Sequence, residues 1–380
     1  VQAAGHMPGE IKLGVALAFT GPLESMAPHM AAGAELAIKE VSDSGKLLGG
    51  VTVMAVRGDT TCIDAAAATA TVERLVTVEG VKGVMGAMCS GATGAALENV
   101  AIPNGMVMVS PSATSPALTT TEDNGLFFRT APSDARQAEV MADIILDKGI
   151  GLVAVTYTNN DYGKGLADAF EAAYTAKGGA VTINSPHEDG KADYSAEIGA
   201  FASAGGNALV VAGSVDQGGS AIVRGALDQG AFDTFVLPDG MVGNKLEENF
   251  GPELDGSFGQ LPDSAGDGKA TFAAMADGFD PSSAYSGEAY DAAALILLAM
   301  QAAESTDPND YKAKIFDVAN APGEKIMPGE LGKALELLAS GQDINYEGAS
   351  SVEMIGPGES SGSFREVVVE GGKVTTVGFR

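Results

Sequence analysis

Short apolar runs rich in β-branched residues alternate along the chain with stretches whose apolar residues recur at helical spacing. In the first part of the chain this pattern predicts strands at 11–18, 51–56, 81–88 and 106–110, separated by helices at 30–41, 63–78 and 95–101. Strands that alternate with helices are typical of a parallel sheet covered on both faces. The pattern therefore predicts a doubly wound α/β lobe.

The alternation starts again at a short strand, 127–130, which leads through Pro132 into a helix. The elements predicted from there are helices at 134–148, 162–177, 194–204 and 219–229 and strands at 151–157, 181–185, 208–213 and 234–237. Two late helices, 287–303 and 309–319, follow a Gly/Asp/Ser-rich stretch at 263–268. A chain of 380 residues suits two lobes. We expect the late helices to return to the first lobe, so that several crossovers bridge a cleft.

The chain is strongly acidic, because 50 Asp and Glu residues against 22 Lys and Arg residues give a net charge of -28. This excess argues against nucleic acid and anionic membrane surfaces as partners. No apolar run reaches the roughly 18 residues that a membrane-spanning helix needs. Residues 1–9 are predicted to be a flexible tail or a cloning scar, and we expect that a signal peptide has been removed or is absent.

Two clusters of small and hydroxyl-bearing residues follow neighbouring predicted strands and form the candidate binding site. Ser90 and Gly91 belong to the first cluster, which leads into a helix whose free backbone N–H groups suit a carboxylate or phosphate. The second cluster offers hydroxyls and carbonyls from Ser112, Ala113 and Thr114. Ligands of open α/β sheets bind at this carboxyl edge. Neither cluster holds a strong nucleophile or base, so the clusters predict hydrogen bonding to a small zwitterion or anion.

Enzyme and metal motifs lack the sequence context that they require. The G-x-S-x-G pattern at 358–362 is followed by a predicted strand, 364–369, whereas a nucleophile elbow needs a helix there, so we interpret the pattern as a loop. The three histidines have no metal-ligand spacing, and no phosphate-binding glycine motif follows the first strand. Asp263 and Asp267 are interpreted as part of a solvated hinge loop. The sequence thus predicts no catalytic residue, no metal and no cofactor.

The two cysteines, Cys62 and Cys89, each follow a predicted strand. In a doubly wound fold both would emerge at the same edge of the sheet, where their side chains could meet. A disulfide would fit an oxidising compartment. Two unrelated buried thiols in a cytosolic protein fit the spacing equally well, so the spacing leaves both interpretations open.

An ordered set of segments resembles the periplasmic leucine/isoleucine/valine-binding protein family, the solute receptors of ABC transporters. The match runs from about Glu10 to Phe379 and rests on IKLGVALAFTGP, CSGAT, VMVSPSAT, FFRTAPSD with Gln137, NNDYGKGLA and LPDG, together with the two cysteines. The resemblance implies the type I periplasmic binding fold, in which two Rossmann-like lobes are joined by a three-crossover hinge. We expect lobe 1 to comprise residues 10–131 and about 262–360, and lobe 2 to comprise residues 132–261 and about 361–380.

The resemblance also implies a function without catalysis or a cofactor. A receptor of this family captures an amino acid, of the branched-chain type or a related small zwitterion, in the interlobe cleft and delivers it to the permease of an ABC importer. A periplasmic location, a Cys62–Cys89 disulfide and a monomer are expected with it. Two alternatives stay open: a ligand-sensing domain of the same fold, and a receptor for a small carboxylate or amide that is not an amino acid.

The ligand contacts of the family fall on identifiable positions of this sequence. The resemblance places Ser90 at the ligand carboxylate, through its hydroxyl and backbone N–H, with a contribution from Thr114. It gives the ligand ammonium the Ser112 carbonyl, the Thr114 hydroxyl and the Asp239 carboxylate, with Asp134 at a neighbouring acidic position. These residues match the half of the site that binds the zwitterionic end of the ligand.

The positions around the ligand side chain depart from the family. Tyr162 matches the aromatic residue that closes over the ligand from lobe 2. Met26 and Ser214, however, stand where family members often carry aromatic residues, and Tyr285 is a candidate for a further aromatic wall. The loss of two bulky side chains is expected to enlarge the pocket or make it more polar.

Overall fold

The computed structural model describes residues 9–380, and residues 1–8 of the predicted tail lie outside the described residues. Gly9, the last residue of that predicted tail, instead lies against the first sheet, where its carbonyl accepts the Thr52 N–H at 3.0 Å. This sheet has the order β2-β1-β3-β4-β5 with all strands parallel. Its strands are β1 Glu10–Leu17, β2 Thr52–Asp59, β3 Val84–Gly86, β4 Met108–Ser110 and β5 Phe127–Arg129.

The second sheet has seven strands in the order β16-β15-β10-β9-β8-β6-β7. Its strands are β6 Leu152–Thr158, β7 Ala180–His187, β8 Ala208–Ala212, β9 Phe235–Leu237, β10 Phe258–Pro262, β15 Phe364–Glu370 and β16 Lys373–Phe379. Strands β6 to β10 pair in parallel, whereas β15 and β16 form an antiparallel hairpin beside β10. The sequence pattern did not predict β10 or β16.

Two small sheets complete the strand inventory of residues 9–380: β11 Glu324–Ile326 pairs with β12 Ile344–Tyr346, and β13 Met354–Gly356 pairs with β14 Glu359–Ser360. Strand β14 lies within the G-x-S-x-G pattern that we interpreted as a loop, so that detail was wrong. Strand β15 follows it directly. The pattern therefore lacks the helix of a nucleophile elbow.

Helices cover the sheets. They are α1 Ala27–Ser44, α2 Ala65–Glu73, α3 Ser90–Ala96, α4 Ile102–Asn104, α5 Asp134–Asp147, α6 Asp161–Ala176, α7 Ser195–Ala204, α8 Gly218–Asp228, α9 Asn244–Phe250, α10 Asp267–Met275, α11 Ser286–Ala303, α12 Pro308–Tyr311, α13 Lys314–Ala319 and α14 Leu331–Ala339. Within residues 9–380, no helix combines the length and apolar character needed to cross a bilayer.

Three predicted helices differ from the structure. Helix α3 begins at Ser90, earlier than predicted, because Cys89, which precedes it as the N-cap residue, is extended (φ −94°, ψ 146°). Gly91, Thr93 and Gly94 of this helix have low helix propensity, but burial of one face of the helix overrides it. The predicted helix 63–78 is α2 followed by a π-helical turn, Arg74–Val78. The predicted helix 309–319 is divided into α12 and α13.

Helix α11 packs against α1 and covers the first sheet, although it follows most of the second sheet along the chain. Almost all of its residues are buried, as expected for a helix that is apolar around its circumference. The two helices approach closely at Gly33 of α1, where a Cβ atom would lie 2.3 Å from the Ser286 carbonyl oxygen. Any larger residue at that position would push the helices apart.

The chain passes between the two sheets at three places, 130–133, 263–285 and 361–363. Two doubly wound lobes joined by three crossings confirm the predicted fold class. The lobe boundaries proposed within these crossings stay a prediction. Asp263, which we interpreted as part of a solvated loop, instead accepts a hydrogen bond from Arg365 Nε at 2.7 Å and is anchored on the second sheet.

Candidate functional site

A small cavity lies between the lobes, at the carboxyl edges of both sheets. The cavity brings together seven of the residues predicted from the sequence: Met26, Ser90, Ser112, Tyr162, Ser214, Asp239 and Tyr285. Since these residues come from both lobes, a molecule held there contacts both.

Asp239 follows strand β9 on the cavity wall, and only 3% of its surface is exposed. Its Oδ1 accepts hydrogen bonds from the Tyr162 hydroxyl and from Gln137 Nε2, the latter at 3.1 Å, while its Oδ2 accepts one from the Tyr285 hydroxyl. These side-chain donors are all neutral. A carboxylate offers about four acceptor positions, so the arrangement leaves room on Oδ2 for one more donor.

The two tyrosine hydroxyls remain protonated and act as donors to Asp239. Burial raises the pKa of Tyr162 and Tyr285 well above the usual value, and the neighbouring carboxylates Asp239 and Asp134 raise it further. Tyr162 lies in α6 of the second lobe, whereas Tyr285 immediately precedes α11, which covers the first sheet. The Asp239 carboxylate is thus held from both sides of the cleft.

Gln137 joins two buried carboxyl groups. Its Nε2 donates to Asp134 Oδ1 at 2.7 Å as well as to Asp239, and its Oε1 accepts the Asp239 N–H at 3.2 Å. Burial raises the pKa of Asp134 well above its usual value, and the Asp239 charge raises it further. Asp134 supports Gln137 from behind the cavity.

Four residues that the sequence analysis placed in the site do not line the cavity: Gly91, Ala113, Thr114 and Asp134. Ala113 and Thr114 are fully buried, and the Thr114 hydroxyl donates to Asp134 Oδ2 at 2.7 Å instead of facing the cavity. Gly91 faces a second surface pocket, which Asp161 also lines, since a Cβ there would lie 3.5 Å from Asp161 Oδ2. Successive residues of a turn or helix point in different directions. A residue's place in a cluster along the sequence therefore does not show whether its side chain faces the cavity.

Ser90 and Ser112 use their hydroxyls differently. Ser90 is the first residue of α3, and its Oγ accepts the Ser115 N–H at 3.1 Å, which leaves the hydroxyl proton available for a ligand. Ser112 Oγ donates its proton to the Met88 carbonyl at 2.8 Å. A hydroxyl donor at the positive end of a helix suits an anionic group, so this end of the cavity complements a carboxylate.

Cys62 and Cys89 form a disulfide with an S–S distance of 2.07 Å. The structure thereby decides between the two interpretations that the spacing left open. Both sulfur-bearing side chains line the cavity, and Cys89 immediately precedes α3. The bond ties the loop after β2 to the helix that begins with Ser90.

Sequence reasoning missed several residues of the site. Four further lining residues are Leu23, Met88, Asn160 and Gly240. Asn160 and Gly240 adjoin the predicted Tyr162 and Asp239 and lie in the segments NNDYGKGLA and LPDG, so the resemblance could have found them. Leu23 and Met88 carry no signal beyond their apolar character. In residues 9–380, no group of three or more His, Cys, Asp or Glu side chains is arranged to hold a metal ion.

Comparison with known proteins gives a family match over most of the chain. The family described as periplasmic binding protein matches residues 10–325. Leu/Ile/Val-binding protein homolog 1 of Brucella melitensis is 32% identical over 360 residues, which cover 90% of this chain and 94% of that protein.

Solved structures share the fold at lower sequence identity. The leucine binding protein LivK of Thermotoga maritima has a TM-score of 0.82 at 22% identity, with 97% of this chain and 98% of that chain covered. The branched-chain amino acid transporter substrate binding protein LivJ of Streptococcus pneumoniae, solved with isoleucine, has a TM-score of 0.79 at 22% identity, with 97% and 99% covered. A solute binding protein of an ABC transporter from R. palustris, solved with benzoate, has a TM-score of 0.77 at 18% identity, with 98% and 96% covered.

The sequence match, the two doubly wound lobes with three crossings and the cleft between them agree with one another. This chain belongs to the periplasmic leucine/isoleucine/valine-binding protein family, the solute receptors of ABC transporters.

Proposed function

We propose that this protein captures an amino acid, of the branched-chain type or a closely related small zwitterion, in the interlobe cavity and delivers it to the permease of an ABC importer. The observation that carries the proposal is the Asp239 carboxylate, which is buried on the cavity wall and hydrogen-bonded by neutral donors. A buried charge without a cation is costly. A ligand ammonium supplies that cation.

The two ends of the cavity have opposite chemistry, which supports a zwitterionic ligand. Ser90 offers a hydroxyl donor at the start of α3, where the helix dipole favours negative charge. Asp239 offers a negative charge on the lobe 2 side. An α-amino acid places a carboxylate and an ammonium on one carbon atom, so it satisfies both ends at once.

The rest of the wall supports an apolar ligand side chain. Leu23, Met26 and Met88 line the cavity beside the disulfide, and methionine side chains adapt readily to the shape of an aliphatic group. Ser214 and Asn160 add polar atoms. The Brucella melitensis relative is described as a Leu/Ile/Val-binding protein homolog, and the Streptococcus pneumoniae structure contains isoleucine. These likenesses favour a branched-chain ligand over a charged one.

Closure of the lobes on the ligand links binding to transport. A ligand that contacts both lobes shifts the population toward the closed form, which a permease can distinguish from the open form. The family supports a periplasmic location and a non-catalytic role. A monomer suffices, because both halves of the site belong to one chain.

A receptor for a carboxylate without an ammonium is the second candidate, because the R. palustris neighbour is solved with benzoate. Asp239 disfavours this ligand class, since an anion without a cationic group would leave the buried carboxylate unpaired.

Titration calorimetry with leucine, isoleucine, valine and benzoate tests the proposal. We expect at least one of the three amino acids to bind and benzoate not to bind. Asp239→Asn should weaken amino-acid binding at least tenfold, because a charge-assisted hydrogen bond contributes roughly 1.5–3 kcal/mol. Asp168→Asn removes the same charge from an exposed position on α6 and serves as the control. Unchanged affinity in Asp239→Asn, or binding of benzoate alone, would refute the proposed ligand class.

A further inference from the structure

A set of hydrogen bonds joins the two lobes at the rim of the cleft, beside the ligand cavity. Asp216 Oδ2 accepts the Ser25 N–H at 2.9 Å and the Ser25 hydroxyl at 2.7 Å. The Asp216 N–H donates to the Pro22 carbonyl at 3.2 Å. Ser25 precedes α1 of the first lobe, whereas Asp216 lies between β8 and α8 of the second. All three hydrogen bonds therefore span the cleft.

The partners of this contact flank the cavity without lining it. Leu23 and Met26, on either side of Ser25, contribute apolar wall to the cavity, and Ser214 lies two residues before Asp216. Asp216 thus holds the turn that carries Leu23 and Met26 against the second lobe. Asp216 and Ser25 themselves are half-buried and lie outside the lining.

We infer that Ser25 and Asp216 form a latch that exists only in the closed form and sets how long the ligand stays bound. The inference rests on the proposed function, because it needs a ligand that closes the lobes. Rotation about the three crossings separates residues on opposite rims, so an open form lacks these hydrogen bonds. Hydrogen bonds to a charged acceptor are stronger than neutral ones, and here they favour the closed state alone.

The latch has a kinetic signature that differs from that of a lining residue. A contact that forms after the ligand has entered slows dissociation and leaves association unchanged. Because Ser25 and Asp216 do not line the cavity, their removal should weaken every ligand that permits closure by the same factor. Substitution of a lining residue such as Met26 should instead change the ratio of affinities between ligands.

Stopped-flow binding of L-leucine and L-valine to Asp216→Ala, Ser25→Ala and the double variant tests the latch. We expect Asp216→Ala to dissociate the ligand roughly tenfold faster than wild type, with an unchanged association rate and an unchanged leucine-to-valine affinity ratio. The double variant should be no weaker than Asp216→Ala, because the serine has then already lost its partner. Thr20→Ala is the matched control, since Thr20 lies in the same loop and its hydroxyl donates to Asp59 within the first lobe, at 2.6 Å.

The melting temperature of the ligand-free protein separates a latch from an ordinary structural contact. It should be the same in wild type and in the latch variants. A lower ligand-free melting temperature in both Asp216→Ala and Ser25→Ala would overturn the inference, and so would a wild-type dissociation rate in Asp216→Ala. Failure of wild type to bind leucine, valine or isoleucine would instead refute the proposed ligand class on which the latch depends.

Discussion

Arg129 and Glu359 form a two-point ion pair, in which Arg129 Nε and Nη2 donate to the two carboxylate oxygens at 3.0 and 2.9 Å. The remaining guanidinium donors bind the carbonyls of Ala113 and Ser115 at 3.0 and 2.8 Å and the Thr119 hydroxyl at 2.8 Å. All five donors are therefore occupied. Through them Arg129 fastens the Ser112 loop of the site to the chain segment next to the third crossing.

Glu359→Gln should lower the free energy of unfolding by about 3–5 kcal/mol, because it leaves the fully buried Arg129 charge without a counter-charge. Chemical denaturation measures the loss. Asp43→Asn, which breaks an exposed pair with Lys39, is the control and should cost less than about 1 kcal/mol. Equal effects of the two substitutions would contradict the role given to the buried pair.

Replacing both cysteines, Cys62→Ser with Cys89→Ser, should lower the free energy of unfolding by about 3–4 kcal/mol. The disulfide spans 27 residues, and closing a loop of that length restricts the unfolded chain by about this amount. Reduction of the wild-type protein should give a similar loss. Intact mass without reductant is the direct check, and two free thiols would contradict the pairing.

His187 should make stability depend on pH. Its ring is buried, its Nδ1 is 2.7 Å from Thr156 Oγ1, and burial lowers its pKa to about 4. Between pH 6.5 and 4 the unfolded chain therefore binds the proton more readily than the folded protein does, so acidification removes stability in this window. The contribution amounts to roughly 3 kcal/mol. The difference between wild type and His187→Gln in unfolding free energy, measured at pH 7 and again near pH 4.5, should shrink. A constant difference would show that His187 does not titrate in this way.

Gly240→Ala should weaken ligand binding at least tenfold. A Cβ atom at Gly240 would lie 2.4 Å from the Gly213 carbonyl oxygen and 3.1 Å from the Tyr162 hydroxyl, so the backbone next to Asp239 must move. Calorimetry with leucine measures the effect. Gly94→Ala in the α3 region is the control, because nothing lies within 4 Å of its added atom. Wild-type affinity in Gly240→Ala would mean that the Asp239 loop tolerates displacement.

Much of the fold follows from the sequence pattern because parallel strands buried on both faces appear as continuous apolar runs. The pattern failed for elements that are not buried on both faces or that are not strands. Strand β16, Lys373–Phe379, has its side chains mostly exposed or half-buried, so it carries little hydrophobic signal. Helix α3 begins with Ser90 and contains Gly91 and Gly94, whose intrinsic helix propensity is low, so its position is set by tertiary packing.

The candidate site was predicted less completely than the fold. The resemblance identified Asp239 and Tyr162 as binding residues, a role that stays a prediction, and the structure brings both to one cavity. It did not give a role to Gln137, whose bridge between two carboxyl groups depends on a side-chain direction that no residue spacing encodes. The Ser25–Asp216 contact joins residues 191 positions apart, so only the folded chain reveals it.

The position of α11 has a consequence for synthesis on the ribosome. The strands of the first sheet all end by Arg129, but the helix that covers them, Ser286–Ala303, emerges only after β10. Until then the part of the first sheet that α11 covers is exposed in the nascent chain, which makes it a target for chaperones or for aggregation. We therefore expect β6 to β10 of the second sheet to emerge while the first lobe still awaits its cover, and the second sheet itself to be completed only when β15 and β16 emerge at the end of the chain.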